Sequence, residues 1–186
     1  LETHNMEGEI VVLNAPTSMG DGILCNNRVL TARISSVETL TINGLGITDL
    51  TGIEDFVGLK TLNCSNNRLN ALTILQNNTA LENLLCSSNE LQSLDISNNT
   101  LLKILDCSNN QLKDNSLDIS LNKNLENLSC SDNQLSQLVV SANNLLTNLG
   151  VSKNQLKELI VISNLQLKYL SCASNELTSL DISENR

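Results

Sequence analysis

Residues 59–69 read LKTLNCSNNRL, and the spacing LxxLxCxxNxL within this stretch decides the fold because it returns along the chain. Its first leucine recurs at intervals of 22, 21, 23, 21 and 21 residues, as Leu81, Leu102, Leu125, Leu146 and Leu167. A weaker copy precedes it, with the equivalent positions at Val37, Leu40, Ile42, Leu45 and Ile47. A fixed period of this length indicates structural units that stack on one another.

Each copy contains a short segment that alternates between apolar and polar side chains. In the copy at 59–69, Leu62 and Cys64 are apolar, whereas Thr61 and Asn63 are polar. A period of two is typical of a half-buried β-strand, so we expect the apolar pair to point inward. One turn cannot bury its own leucines, and the copies must therefore stack as parallel strands about 4.8 Å apart.

The composition agrees with a stacked fold and excludes some functions. Only 1% of the residues are aromatic while 40% are hydrophobic, so aliphatic side chains must fill the core. The net charge of −9 repels phosphate backbones and argues against nucleic-acid binding. No run of about 18 apolar residues is present, and we expect no insertion into a membrane.

The motif resembles the repeats of one known family. LxxLxCxxNxL followed by xxLDIS, as at Leu94–Ser97, is similar to the short leucine-rich repeats of bacterial secreted and cell-surface proteins, including the internalin-like group. The likeness covers about residues 28–186, and Gly46–Ile53 resembles the first turn after an N-terminal cap. It implies a repeat solenoid with a parallel β-sheet on its main face and a role in adhesion or recognition.

The remaining segments complete the expected architecture. Residues 1–36 match no repeat and are predicted to form a small N-terminal cap, and residues 37–186 form about seven repeat turns. The alternation in Leu94–Ser97 and its equivalents predicts short extended segments, a second narrow strand ladder, on the opposite face. The pairs Asn98-Asn99 and Asn143-Asn144 are expected to turn the chain into the next repeat.

Three further expectations concern the two ends of the chain. Asn5 to Leu13 could form a short helix that ends before Pro16. Asp21-Gly22 and Asn26-Asn27 weakly resemble the spacing of a calcium loop, without its full set of acidic oxygens. Core positions in the last turn predict that the natural chain continues past Arg186 or that another molecule covers this edge, which leaves a monomer or weak self-association through the edge.

Two rows of residues are assigned a structural role. An inward asparagine can satisfy backbone groups where the chain leaves the strand. This row comprises Asn67, Asn89, Asn110, Asn133, Asn154 and Asn175. The second row comprises Cys64, Cys86, Cys107, Cys130 and Cys172, with Val151 at the equivalent position. Since valine can take the place of cysteine, we expect buried reduced thiols rather than disulfides or a metal site, while the state of Cys25 stays open.

The sequence offers no convincing reaction centre. The only histidine, His4, lies in the expected cap, which leaves a nucleophile of the ladder without a base. Asp95 and Asp118 occupy equivalent positions, and carboxylates at about 5 Å could serve a retaining glycosidase, but only within a cleft. A flat ladder provides none, so we predict solvated charges, no enzyme, no cofactor and no metal.

The outward strand positions are the candidate binding face, because they project from rigid backbone in a regular array. The candidate residues are Thr61, Asn63, Asn83, Leu85, Ile104, Asp106, Asn127, Ser129, Asn148, Tyr169 and Ser171. The leading hypothesis is a secreted or surface-attached bacterial module that binds a protein or glycan there. The alternatives are a structural spacer in a larger surface protein and, more distantly, part of a glycan-active enzyme.

Overall fold

The computed structural model describes residues 34–72 and 75–185, together with the backbone of two short strands near the N-terminus. These strands, β1 (Thr3–His4) and β2 (Ile10–Val11), pair antiparallel. The helix expected from Asn5 to Leu13 is therefore wrong at Ile10, where β-branched residues favour an extended backbone. The expectations for Asp21-Gly22, Cys25 and Asn26-Asn27 lie outside the described residues.

The main face is a parallel sheet of seven three-residue strands, stacked in the order of the sequence. The strands are β3 (Thr39–Thr41), β4 (Thr61–Asn63), β5 (Asn83–Leu85), β6 (Ile104–Asp106), β7 (Asn127–Ser129), β8 (Asn148–Gly150) and β9 (Tyr169–Ser171). Each strand pairs with the next without a shift, so that Leu40, Leu62 and Leu84 lie one above another. The predicted repeat solenoid is confirmed.

One continuous core runs the length of the solenoid. Leu62, Leu84 and Leu105, the central residues of three successive strands, are at most 1% exposed. Each is covered by the equivalent leucine of the neighbouring turn, which explains why a single turn could not hold such a core. In β9, the last strand, Leu170 is only half-buried.

The opposite face is narrow and largely without regular pairing. Short 3-10 helices, Ile53–Asp55 and Leu75–Asn77, form this side of two successive turns. In the later turns the described residues form no helix on this side, and only Leu94 and Leu117 make a parallel bridge there. The alternation predicted a second strand ladder on this face. The described residues contain one isolated bridge there instead.

Side-chain amides take the place of that ladder. A second row of asparagines, spaced 21 to 23 residues apart, lies on the opposite side: Asn78, Asn99, Asn122, Asn143, Asn164 and Asn185. The first five are at most 1% exposed. Asn122 Nδ2, for example, donates to the carbonyls of Ile96 at 3.0 Å and Asn99 at 2.9 Å in the preceding turn. Asn99 and Asn143 thus do more than turn the chain, because they join adjacent turns from inside.

The first asparagine row, which begins at Asn67, is also internal. Asn110 Oδ1 accepts a hydrogen bond from Leu91 N at 3.0 Å, while its Nδ2 donates to the carbonyls of Cys86 and Cys107, both at 3.1 Å. Every asparagine of this row joins its own turn to the preceding one. In the first turn, Leu45 stands at the equivalent position and is 66% exposed, and its N–H donates to Asn67 Oδ1.

Candidate functional site

The strand register sorts the outward side chains into two rows across the sheet. The first row consists of Thr61, Asn83, Ile104, Asn127, Asn148 and Tyr169. The second consists of Asn63, Leu85, Asp106, Ser129, Gly150 and Ser171. All the candidate binding residues therefore lie on one face, at the strand spacing of about 4.8 Å.

Part of this face is a shallow, open depression of about 640 Å³ between β6 and β9. Its outward-facing lining consists of Ile104, Asp106, Asn127, Ser129, Asn148, Gly150, Lys168, Tyr169 and Ser171. The structure thus brings together the candidates of β6 to β9, while Thr61, Asn63, Asn83 and Leu85 of β4 and β5 lie outside the depression. The sequence-based selection did not include Lys168 or Gly150.

Gly150, on β8, lines the depression and adds no side chain to it. A Cβ at this position would lie 3.4 Å from Ser131 Oγ and 3.5 Å from Ser129 Oγ, which is ordinary packing distance. The backbone there does not require glycine, so its effect is on the shape of the surface. A larger side chain would fill the depression without disturbing the core.

Some polar groups around the depression already have hydrogen-bond partners. Asn148 Nδ2 donates to Asn127 Oδ1. Asp106 Oδ1 accepts from Ser108 N at 3.1 Å and from Ser108 Oγ at 2.6 Å. Such bonds hold the side chains in place and limit the entropy that would be lost when a ligand binds.

Two side chains offer apolar contact area to a ligand. Tyr169 is 71% exposed and Ile104 is 37% exposed, on opposite sides of the depression. Leu85, the third anchor suggested by the sequence, is half-buried on β5 and lies outside the depression. Tyr169 has the larger exposed area and a ring that combines an apolar face with a polar hydroxyl.

The residue before each strand forms a row of charges beside the sheet. The row reads Glu38, Lys60, Glu82, Lys103, Glu126, Thr147 and Lys168, and it alternates in sign as far as Glu126. The Nζ of Lys60 lies 2.7 Å from Glu38 Oε1, and the Nζ of Lys103 lies 2.7 Å from Glu82 Oε2. These hydrogen bonds raise the pKa of both lysines and lower the pKa of Glu82. Thr147 interrupts the alternation, so the position of this row that precedes Lys168 carries no acid.

The cysteine row is largely buried, and its thiols have low reactivity. Cys64, Cys86, Cys107 and Cys130 are buried, Cys172 is half-buried, and all five thiols are free. Burial raises the pKa of Cys64 and Cys130 from 9.0 to about 12. Because the thiolate is the reactive form, these groups are poor nucleophiles and poor metal ligands at neutral pH. Among the described residues, no group of three or more acidic, histidine or cysteine side chains could hold a metal ion.

The carboxylates of the opposite face lack the properties of an acid–base pair. Asp95 Oδ1 accepts from Ser97 Oγ at 2.7 Å and from Ser97 N at 3.0 Å, and these bonds lower the pKa of Asp95. Asp118 accepts from Ser120 N at 2.9 Å, with the same effect on its pKa. A general acid needs a raised pKa, so neither carboxyl is suited to donate a proton at neutral pH.

Comparison with solved structures relates the solenoid to bacterial leucine-rich-repeat proteins. An internalin (inlF) from Listeria monocytogenes is 23% identical, with a TM-score of 0.70, over 79% of this chain and 44% of that chain. Internalin C2 from the same species is 22% identical, with a TM-score of 0.64, over 85% and 81% respectively. These likenesses show the leucine-rich-repeat fold.

A third similar structure is the functional domain of InlJ from Listeria monocytogenes, which includes a cysteine ladder. It is 29% identical, with a TM-score of 0.48, over 84% of this chain and 44% of that chain. This chain therefore spans less than half the length of the InlJ and inlF chains. No protein-family model and no curated protein sequence matches it.

Within residues 34–72 and 75–185 and the two N-terminal strands, no helix is both long and apolar enough to span a bilayer.

Proposed function

We propose that this leucine-rich-repeat solenoid is a non-catalytic recognition or adhesion module that binds a protein or glycan ligand through its strand face. The single observation that carries the proposal is the depression between β6 and β9, with Tyr169 exposed at its edge. Its lining comes from four stacked strands, so the ligand-facing groups are held on rigid backbone. Pre-positioned groups bind with a smaller loss of entropy.

A role in recognition also agrees with the chemistry of the other surfaces. The thiols are buried and protonated at neutral pH, and the aspartates of the opposite face have lowered pKa values. These features support a module without an active site. The internalin-like fold supports the further proposal that the module belongs to a secreted or cell-surface protein of a bacterium.

The test is capture of ligands by the purified chain on arrays of glycans and of extracellular proteins. Tyr169→Ala and Ile104→Ser are expected to weaken capture about tenfold or more, because they remove the two apolar contacts of the depression. Val139→Ser is the matched control: Val139 is 71% exposed and lines a separate pocket on the opposite side. This control should bind like the unaltered chain.

A spacer that holds another domain away from a surface is the alternative function. The two internal asparagine rows run through successive turns and would make the solenoid stiff, which a spacer requires. If no array member is captured, or if Tyr169→Ala and Ile104→Ser leave capture unchanged, the spacer function is favoured. Turnover of an arrayed glycan that is lost on changing Asp95 and Asp118 would instead favour an enzyme.

A further inference from the structure

We propose that the depression binds a saccharide with one carboxylate, and that the ammonium group of Lys168 anchors this carboxylate. This inference rests on the proposed function and names the ligand class of the same surface. It depends on the charges beside the strands, on the groups that accompany Lys168 and on the placement of Asp106.

Lys168 is the cation that the charge row leaves unpaired. The Nζ atoms of Lys60 and Lys103 each lie 2.7 Å from a carboxylate oxygen of a glutamate in the preceding turn. The equivalent position before Lys168 is Thr147. The nearest acid of the row, Glu126, lies two turns away, which is roughly 10 Å at the strand spacing. Among residues 34–72 and 75–185, no carboxylate forms an ion pair with Lys168.

The position of this charge makes it available to a ligand. Lys168 is exposed and lines the depression beside Tyr169. At physiological ionic strength, charges more than about 8 Å apart are largely screened. The net charge of −9 therefore acts weakly on a carboxylate that is already in contact with Lys168.

The groups next to Lys168 suit a sugar better than a protein. The exposed Tyr169 ring can pack against the apolar face of a pyranose, and Ser129 offers a hydroxyl to its polar edges. Ser171 lines the same surface, and its Oγ shares a hydrogen bond with Ser152 Oγ at 2.8 Å. Asn127 uses its Oδ1 to accept from Asn148, which leaves the Asn127 amide hydrogens for a ligand oxygen. A tight protein interface would need several aromatic or arginine anchors, and the depression contains one aromatic ring and no arginine.

Asp106 determines which end of the saccharide lies over β9 and how many acidic sugars the saccharide can contain. It lies on β6, three strands from β9, at a distance of roughly 14 Å along the sheet. Its carboxylate would repel a second acidic sugar but can accept hydrogen bonds from neutral sugar hydroxyls. The acidic sugar is therefore placed over β9 and the neutral sugars over β6 to β8. A chain with one terminal acid fits, whereas a uniform polyanion does not.

The test compares matched saccharides on the 186-residue chain. The probes are oligosaccharides that end in a uronic or a sialic acid, each immobilised next to the same compound with its carboxylate reduced to an alcohol. At physiological ionic strength, the acidic member is expected to bind about fivefold more tightly than its reduced partner, the effect of one exposed ion pair. The uronic and sialic arms show which acid the depression accepts.

Three variants test the role of Lys168 in this preference. Lys168→Gln removes the charge, so the acidic saccharide and its reduced partner should then bind with equal affinity. Thr147→Glu places an acid on the turn before Lys168, as Glu38 is placed on the turn before Lys60; it should also abolish the preference. Lys60→Gln, at the far end of the same row, is the control and should keep it. Urea midpoints for each variant establish that the solenoid is folded.

The outcomes separate the inference from the function on which it rests. If no acidic member binds more tightly than its reduced partner, or if the preference survives Lys168→Gln, the inference is wrong. Capture of a neutral glycan or a protein that requires Tyr169 but is indifferent to Lys168→Gln would overturn the inference and keep the proposed function. If the unaltered chain captures no ligand at all, both the inference and the proposed function are wrong.

Discussion

Asn122 donates its side-chain amide to the carbonyl of Asn99, one turn earlier, at a distance of 2.9 Å. The same Nδ2 donates to the carbonyl of Ile96 at 3.0 Å, and the Oδ1 of Asn122 is buried with no hydrogen-bond partner among residues 34–72 and 75–185. Asn110, in the other internal row, uses both ends of its amide, since its Oδ1 accepts from Leu91 N. The two rows join the same turns with different numbers of hydrogen bonds.

This difference predicts an order of stability among asparagine variants. Asn110→Leu should lower the free energy of unfolding by about 1–3 kcal/mol, because buried backbone groups lose their partners. Asn122→Leu should cost less, since it also removes a buried oxygen that has no partner. Urea denaturation measures both changes.

The control for both variants is Asn124→Ala. Asn124 also donates to a backbone carbonyl of the preceding turn, that of Thr100 at 3.0 Å, but at an exposed site. A change below about 0.5 kcal/mol is expected there. A larger loss for Asn122→Leu than for Asn110→Leu would contradict the order.

A second prediction concerns the left-handed residue that precedes each asparagine of the first row. Ser88 has φ 56°, and Asn66, Asn109, Asp132, Lys153 and Ser174 have similar values. Side chains disfavour this conformation by about 1–2 kcal/mol, whereas glycine adopts it freely. Ser88→Gly should therefore be more stable than Ser88→Ala by about 1 kcal/mol in urea denaturation. Both variants lose the same hydroxyl, so the comparison isolates the backbone; equal stability would argue against the strain.

A third prediction tests whether the cysteine row is a packing row. Cys107 is 0% exposed, and the equivalent position two turns later is Val151. Cys107→Val should change the free energy of unfolding by less than about 1.5 kcal/mol, as expected for a swap between apolar groups of similar size. Cys107→Ser should cost about 1–3 kcal/mol, because a hydroxyl is buried with poor hydrogen bonding. A higher urea midpoint for Cys107→Ser than for Cys107→Val would contradict a packing role.

A fourth prediction gives the sign of the pH dependence. Burial raises the pKa of Cys64 and Cys130 from 9.0 to about 12. Unfolded thiols lose their protons in a lower pH range than these folded ones, so above about pH 9 the unfolded chain binds fewer protons. The contribution to stability is complete below this pH and is lost as the pH rises towards 12.

The measurement is the urea midpoint at about pH 8 and about pH 10. For the unaltered chain, the midpoint should be lower at about pH 10 than at about pH 8. The double variant Cys64→Val with Cys130→Val provides the control and should show a smaller fall. A midpoint that rises with pH would have the wrong sign for buried protonated thiols.

Much of the fold follows from local patterns. The alternation around Leu62 and the return of the same spacing at Leu84 predict inward leucines and parallel strands, and the structure has both. The second asparagine row was open to prediction on the same ground, because Asn99, Asn122 and Asn143 recur at the strand interval. The pairs Asn98-Asn99 and Asn143-Asn144 favour a turn, and a turn prediction by itself does not place Asn99 and Asn143 inside.

The sequence alone therefore determined the solenoid, its core and the side chains of its strand face, because a two-residue alternation repeated every 21 to 23 residues leaves one register that buries the leucines. Only the tertiary structure decided which outward residues meet. The depression at Gly150, and the lack of an ion pair at Lys168 within residues 34–72 and 75–185, depend on what the adjacent turns place beside them. Contacts between residues about 20 positions apart exist only after the turns have stacked.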